Sequence, residues 1–330
     1  MTRAANAVGP CRPNISISWG ESPDSTSHRS ASPKHGRTPA TIGPLGSDVV
    51  SFALTLKAVG RKAKTVRTYT EAVCWFGQRM GHRPDSWAQV AKKDIREHMS
   101  FLTGTCSAAY CSNQFRSLQQ CFRWLADEED IPNPMAGMQP PAVPQKLVPL
   151  VGDDVLKKLL ATCSSKKLTD IRDRAIITLF ASSGARLAEV AGLRVSDLDL
   201  TNAAAIVTGK GSRMRIIRYS PEAAVALSKY VKTRSLIRGE ATDALWVGQR
   251  GPLLGNGIYQ MMERRAKRAQ VKVYPHQFRH TFSHKWKLNG GQDSDLMTLN
   301  GWSSPSMVNR YGASAAAERA QAHYNTVMGY

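Results

Sequence analysis

Residues 184–219 read GARLAEVAGLRVSDLDLTNAAAIVTGKGSRMRIIRY, and the pattern changes period partway along. After Gly184 a short helix opens near Arg186 and Leu187. Further on, AAAIVT (203–208) and RMRIIRY (213–219) are β-rich and flank GKGS, which reads as the turn of a hairpin with Lys210 at its tip. Upstream, DIRDRAIITLFASS is an amphipathic helical run that Gly184 ends. GDDVLKKLLATC before it is helical, and helical patterns continue from the hairpin to the C-terminus. A small hairpin set among helices predicts a mainly α chain with a small β-sheet, of the α+β class.

The region before this has a different character. Residues 46–134 carry only helical periodicity. Thr65 can cap a helix in which Val66, Tyr69, Val73, Phe76 and Met80 share one face, and a later helix buries Cys111, Phe115, Leu118, Phe122 and Leu125. Four or five helices make one small bundle. The proline-dense run NPMAGMQPPAVPQKLVP supplies an extended linker at 135–148, and a second domain spans 149–330. Residues 1–45 are rich in Ser, Pro, Gly, Thr and Arg without periodicity and read as a disordered basic tail.

The chain has 330 residues, a formal charge of +20 and a hydrophobic fraction of 42%, which fits two globular domains with a polyanionic partner. Eight Lys or Arg against one acid, Glu263, fall between Met261 and Gly290. Arg264, Arg265, Lys267 and Arg268 belong to that excess, and Arg61, Lys62, Lys64 and Arg67 crowd one helix start where phosphates bind well. No apolar run reaches membrane-spanning length and the N-terminus has no signal core, so a cytoplasmic protein without a membrane partner is expected. The six cysteines form no CxxC pair and read as reduced thiols.

The chemistry-bearing residues come in a fixed order: Arg186 with Glu189 three residues on, Lys210, His276 and Arg279 in HQFRHTFSH, Trp302 in LNGWSS, and Tyr311 in MVNRYGAS. Taken singly, each has a plain structural reading: a surface ion pair, a solvated turn lysine, a core tyrosine. His276, His280 and His284 at i, i+4, i+8 could align on one helix face as metal ligands. With no carboxylate or cysteine nearby and cations all around, no metal is expected there.

As an ordered set these residues resemble the tyrosine recombinase (phage integrase) family, from about Asp48 to the C-terminus. GARLAEVAGLRVSDLD, HQFRHTF and LNGWSS…NRYG lie close to its consensus, and the closing block looks most like integrases of actinobacterial phages and related mobile elements. The resemblance implies a helical SAM-like core-binding domain plus a catalytic domain closing as a C-shaped clamp on DNA. It implies site-specific recombination through a 3′-phosphotyrosyl intermediate, with neither metal nor ATP as cofactor. Tyr311 would be the nucleophile, Arg186 and Arg279 the clamp on non-bridging oxygens, His276 the proton acceptor, and Lys210 the acid for the leaving oxygen. Trp302 stands where histidine is common and can donate a hydrogen bond but not accept a proton. Glu189 would hold Arg186 or His276, and His280 would be buried and structural.

The implied partners are duplex recombination sites, a homotetramer on synapsed DNA, and an accessory DNA-bending or directionality factor, in a bacterial cytoplasm or nucleoid. Many family integrases carry a folded arm-binding domain ahead of the core-binding domain. The tail stands in that place here, which implies binding mainly through core sequences. A type IB topoisomerase-like nicking-closing enzyme shares the chemistry, and a catalytically inactive DNA-binding relative is the reading from outside enzymology.

Overall fold

The computed structural model describes residues 38–80, 84–144, 148–209, 213–235 and 242–329. They fall into two compact units that divide near residue 145. Among the described residues no helix is long and apolar enough to cross a membrane.

Among its described residues the first unit holds four α-helices: α1 (Gly46–Ala58), α2 (Ala63–Arg79), α3 (Lys92–Thr105) and α4 (Ala108–Glu129). The apolar faces read from the sequence converge: Val66, Val73, Phe76 and Met80 of the α2 stretch pack with Cys111, Phe115, Leu118, Phe122 and Leu125 of α4. Ser107 caps α4 by accepting the Tyr110 N–H, and the Asp94 carboxylate accepts the Ala91 N–H at the start of α3. Thr65 does not cap α2. That helix starts at Ala63 with Lys62 in extended backbone before it, leaving Thr65 inside the first turn. Pro39–Leu45, which composition placed in the tail, forms 3-10 turns ending on the buried Leu45, whose carbonyl accepts the Trp87 indole N–H. The tail residues before 38 lie outside the described residues.

The second unit is built around α6 (Leu168–Ser183). Its sequence looks amphipathic, yet it is buried on nearly every side, from Ile171 through Phe180. Burial of Arg172 and Asp173 is possible because they pair with each other, the Arg172 Nε lying 2.9 Å from Asp173 Oδ1. Around α6 pack α5 (Asp153–Ala161), α8 (Pro221–Arg234), α9 (Gly255–Arg268) and α10 (Pro275–Leu288). The short α7 (Leu187–Ala191) follows α6 directly.

A three-stranded antiparallel sheet runs in the order β1 (Leu198–Asp199), β2 (Ala204–Thr208), β3 (Met214–Arg218). The predicted hairpin is the β2–β3 pair, with Ile206 opposite Ile216. A second, two-stranded pairing joins β4 (Val247–Gly248) to β5 (Gly251–Pro252). Last come α11 (Asp293–Asn300) and α12 (Pro305–Met328), seated by a small separate cluster of Leu296, Trp302, Val308 and Tyr311.

Candidate active site

Two helix ends shape the site. Gly184 ends α6 at φ +61° and Gly301 ends α11 at φ +59°, the left-handed conformation that glycine adopts without a Cβ penalty. Space forbids a side chain as well: a Cβ on Gly184 would lie 2.6 Å from Phe282, and one on Gly301 would lie 2.9 Å from the Arg215 stem. Each glycine aims a carbonyl inward. Arg279, on α10, donates to the Gly184 carbonyl at 2.8 Å and to the Asn300 carbonyl at 2.6 Å. Arg186 donates to the Gly301 carbonyl at 3.2 Å.

Arg186 stands in extended backbone just before α7. Its backbone N–H and guanidinium both reach Glu189, at 2.7 and 2.8 Å. The Glu189 side chain is only 1% exposed. Burial pushes its pKa up, but the Arg186 backbone N–H and the Arg215 and Arg186 guanidiniums outweigh this, and the net shift is downward. Burial, reinforced by the neighbouring Arg186, lowers Arg279 to about 9, so it stays protonated at neutral pH.

The register of α10 is fixed by its entry. Pro275 takes the first helical position, where its missing N–H costs nothing, and Gln277 bonds both the Tyr274 N–H and the Pro149 carbonyl. One turn separates His276 from both Arg279 and His280. The Tyr311 hydroxyl lies 2.9 Å from His276 Nε2, and the His280 ring stacks on the Tyr311 ring at 4.1 Å. Trp302 closes the other side, 4.7 Å from the Tyr311 ring and 5.1 Å from the Arg279 guanidinium. Its Nε1 is buried with no hydrogen-bond partner among the described residues. A buried donor without a partner is costly unless a ligand atom supplies the acceptor.

The structure therefore gathers Arg186, Glu189, His276, Arg279, His280, Trp302 and Tyr311 in one place. The three histidines face different neighbours. His276 meets Tyr311, His280 stacks on it, and His284 faces Glu318 at 3.2 Å. Lys210 lies outside the described residues. Its neighbour Gly209 is described, and a Cβ there would come within 3.4 Å of Glu189 Oε1, so the hairpin base abuts the site.

The phage integrase family model matches residues 150–318, just over half of the chain. The chain belongs to the phage integrase family. Among the chain's relatives, tyrosine recombinase XerC of Lactobacillus delbrueckii subsp. bulgaricus is 26% identical over 248 residues, which is 72% of this chain and 84% of the relative. The XerC of Shewanella amazonensis is 34% identical over 224 residues, 66% of this chain and 74% of that one. Among solved structures, XerH site-specific recombinase bound to palindromic difH substrate superposes with a TM-score of 0.68 at 18% identity, covering 86% of this chain and 87% of that one. The Tn1549 transposon integrase with transposon right end DNA gives 0.65 at 22%, covering 83% and 99%. At these identities the structures show the shared α+β fold.

The eight cations expected to contact DNA divide into two kinds. Arg61, Lys62, Lys64 and Arg67 are exposed around the start of α2, and Arg264, Lys267 and Arg268 are exposed on α9. Arg265 departs from the expectation of a phosphate contact. It is 7% exposed, with Nε 2.8 Å from Asp173, Nη2 2.6 Å from Asp170, and Nη1 on the Thr162 carbonyl. Helical periodicity turns it inward while its neighbours face out. We expect Arg265→Met to lower stability by about 3–5 kcal/mol, because Asp173 is left buried with one partner fewer, and to leave DNA affinity unchanged. Paired thermal-melt and gel-shift measurements check this; a loss of affinity at unchanged melting temperature would return Arg265 to the DNA-contact set.

Arg215 went unread in the sequence although a signal was there. Along β3 the side chains alternate, so Arg215 shares the inward face with the buried Ile217. An inward arginine on a short strand needs an internal acceptor, and here it finds Glu189 at 2.8 Å.

Proposed function

We propose that this site cleaves and rejoins DNA with Tyr311 as nucleophile, which makes the chain a tyrosine-type site-specific recombinase. The observation that carries the reading is the Tyr311 hydroxyl at 2.9 Å from His276 Nε2, beside the Arg279 guanidinium and the Trp302 indole N–H that has no partner among the described residues. A phosphodiester seated there would meet one oxygen nucleophile, one base and several donors.

The Tyr311 oxygen attacks phosphorus and its proton passes to His276. The bond from phosphorus to the 5′-oxygen breaks, and that oxygen takes a proton, in this reading from Lys210. A 3′-phosphotyrosyl bond forms and conserves the phosphodiester's energy, so a 5′-hydroxyl from another strand can reverse the step without ATP. Arg186 and Arg279 hold the charge that gathers on the non-bridging oxygens, and the Trp302 N–H adds a donor.

The partner is duplex DNA carrying recombination sites, in keeping with the +20 charge. The working assembly in this proposal is a tetramer on two sites, helped by an accessory DNA-bending or directionality factor. The catalytic unit is residues 149–330 and the helical unit 46–134 is a second DNA-binding body. Relatives named as recombinases favour this reading over a nicking-closing enzyme.

The test is strand exchange between two labelled duplexes bearing the junction sequences of the element that encodes the chain, with the mass of the synapse measured in parallel. Exchanged products and four protomers on two duplexes are expected. Relaxation of supercoils without exchange would place the chain with nicking-closing enzymes.

A further inference from the structure

We infer that Arg215 is a positioning residue for the cleavage step, setting Arg186 by sharing Glu189 with it and by fixing the turn whose carbonyl Arg186 binds. The inference rests on the reaction proposed above and concerns a residue to which that reading gives no role.

One guanidinium joins three segments. Arg215 leaves β3 opposite Val207 and is 12% exposed at its side chain. Nη2 donates to Glu189 Oε2 at 2.8 Å, and Nη1 donates to the Leu299 carbonyl at the end of α11. Its methylene stem lies against Gly301, where it fills the space a Cβ would take. The hairpin, α7 and the α11 end are thereby tied at a single point.

Arg186 depends on the same two partners. It takes Glu189 Oε1 at 2.8 Å and the Gly301 carbonyl at 3.2 Å. The carboxylate is thus divided between two arginines, one oxygen facing each guanidinium. Arg215 faces inward, while the Arg186 side chain is 36% exposed and open toward a ligand. This division of labour assigns phosphate contact to Arg186 and orientation to Arg215. Without Arg215, Glu189 Oε2 keeps, among the described residues, the Arg186 backbone N–H, the carboxylate is held from one side, and the Leu299–Gly301 turn loses its tie to the hairpin. A forked, planar donor suits this place because it meets a carboxylate and a carbonyl at once, which an ammonium point charge does less well.

The experiment compares full-length wild type, Arg215→Met, Arg215→Lys, Arg186→Ala and the Arg186→Ala/Arg215→Met double variant in single-turnover cleavage of nicked suicide DNA. Equilibrium DNA affinity and melting temperature are measured beside it. Arg215→Met should cleave about 100-fold more slowly, the scale of a catalytic group displaced by an ångström, with affinity unchanged. Arg215→Lys, which keeps charge and most of the volume, should recover part of the rate. In the Arg186→Ala background, Arg215→Met should cost about 2-fold or less, because both changes disable one unit.

Three results would overturn the inference. They are a wild-type rate for Arg215→Met, a loss of DNA affinity matching the loss of rate, and full multiplicative costs in the double variant. If Arg215→Met is too unstable to assay, Arg215→Lys and its combination with Arg186→Ala decide the same question. A Tyr311→Phe control separates the two levels. Adduct formation by that control would sink the proposed reaction itself, whereas its inactivity beside an unaffected Arg215→Met would sink only the present inference.

Discussion

Tyr311→Phe binds its DNA site with wild-type affinity and forms no covalent adduct. The expectation follows from what the substitution leaves intact. The ring keeps its stack on His280 at 4.1 Å and its packing against Trp302 at 4.7 Å, so α12 stays seated on the Leu296, Trp302, Val308 cluster. What disappears is one oxygen, the one that meets His276 Nε2. Water or another hydroxyl would have to take its place without a hydrogen-bonded base, and a loss on the order of 10⁴-fold or more is the scale seen when an enzyme loses its nucleophile. A denaturing gel of protein mixed with a nicked suicide substrate reads the result. A denaturant-resistant protein–DNA species at wild-type yield would show that the nucleophile is elsewhere.

The second large effect separates Lys210 from Arg186 by the atom each serves. Lys210→Ala should slow cleavage of ordinary DNA by about 10²–10⁴-fold, the range for loss of a general acid. The same variant should recover most of its rate on DNA with sulfur at the 5′-bridging position. A thiol has a pKa of roughly 8.5, so a thiolate departs without a proton. Arg186→Ala should lose about 10²–10³-fold on both substrates, because its guanidinium serves the non-bridging oxygens, which bridging sulfur does not replace. Equal defects on the two substrates for Lys210→Ala would mean a phosphate contact at the hairpin rather than an acid. No defect on either would mean an idle charge.

Much of this site was legible in the residues because spacing on a helix carries information. Arg279 and His280 both lie about one turn from His276, and Arg186 with Glu189 spans one turn beside a helix-ending glycine. These local periods survive folding, and the structure places all five side chains together. The α+β class was readable for the same reason, since AAAIVT and RMRIIRY differ in period from everything around them. What escaped was nonlocal or made of backbone. Arg215 lies 26 residues from Glu189 in the chain, and nothing in the run RMRIIRY names its partner. Arg265 looks like its neighbours Arg264 and Lys267 until α9 is rotated against Asp170 and Asp173 of α6. The burial of α6 on nearly every side was hidden because the Arg172–Asp173 pair makes an interior helix look half-polar. The carbonyls that hold Arg279 have no sequence signature beyond the glycines that turn them.

Those carbonyls set how the site can change over time. Gly184 and Asn300 grip Arg279 through main-chain oxygen, which every residue type carries, so no exchange of a partner side chain can delete the grip. Such a clamp is blind to most drift in its own holders and exposed at only a few places, above all the two helix-end glycines, where the left-handed backbone strains most side chains and the space for a Cβ is already filled. Glu189 is the opposite case, a holder that a single codon change removes. One arginine of the pair is thus insured by the polymer itself, and the other adds to its one carbonyl, that of Gly301, a shorter contact to a replaceable side chain, so lineages that lose activity should do so first on the Glu189 side.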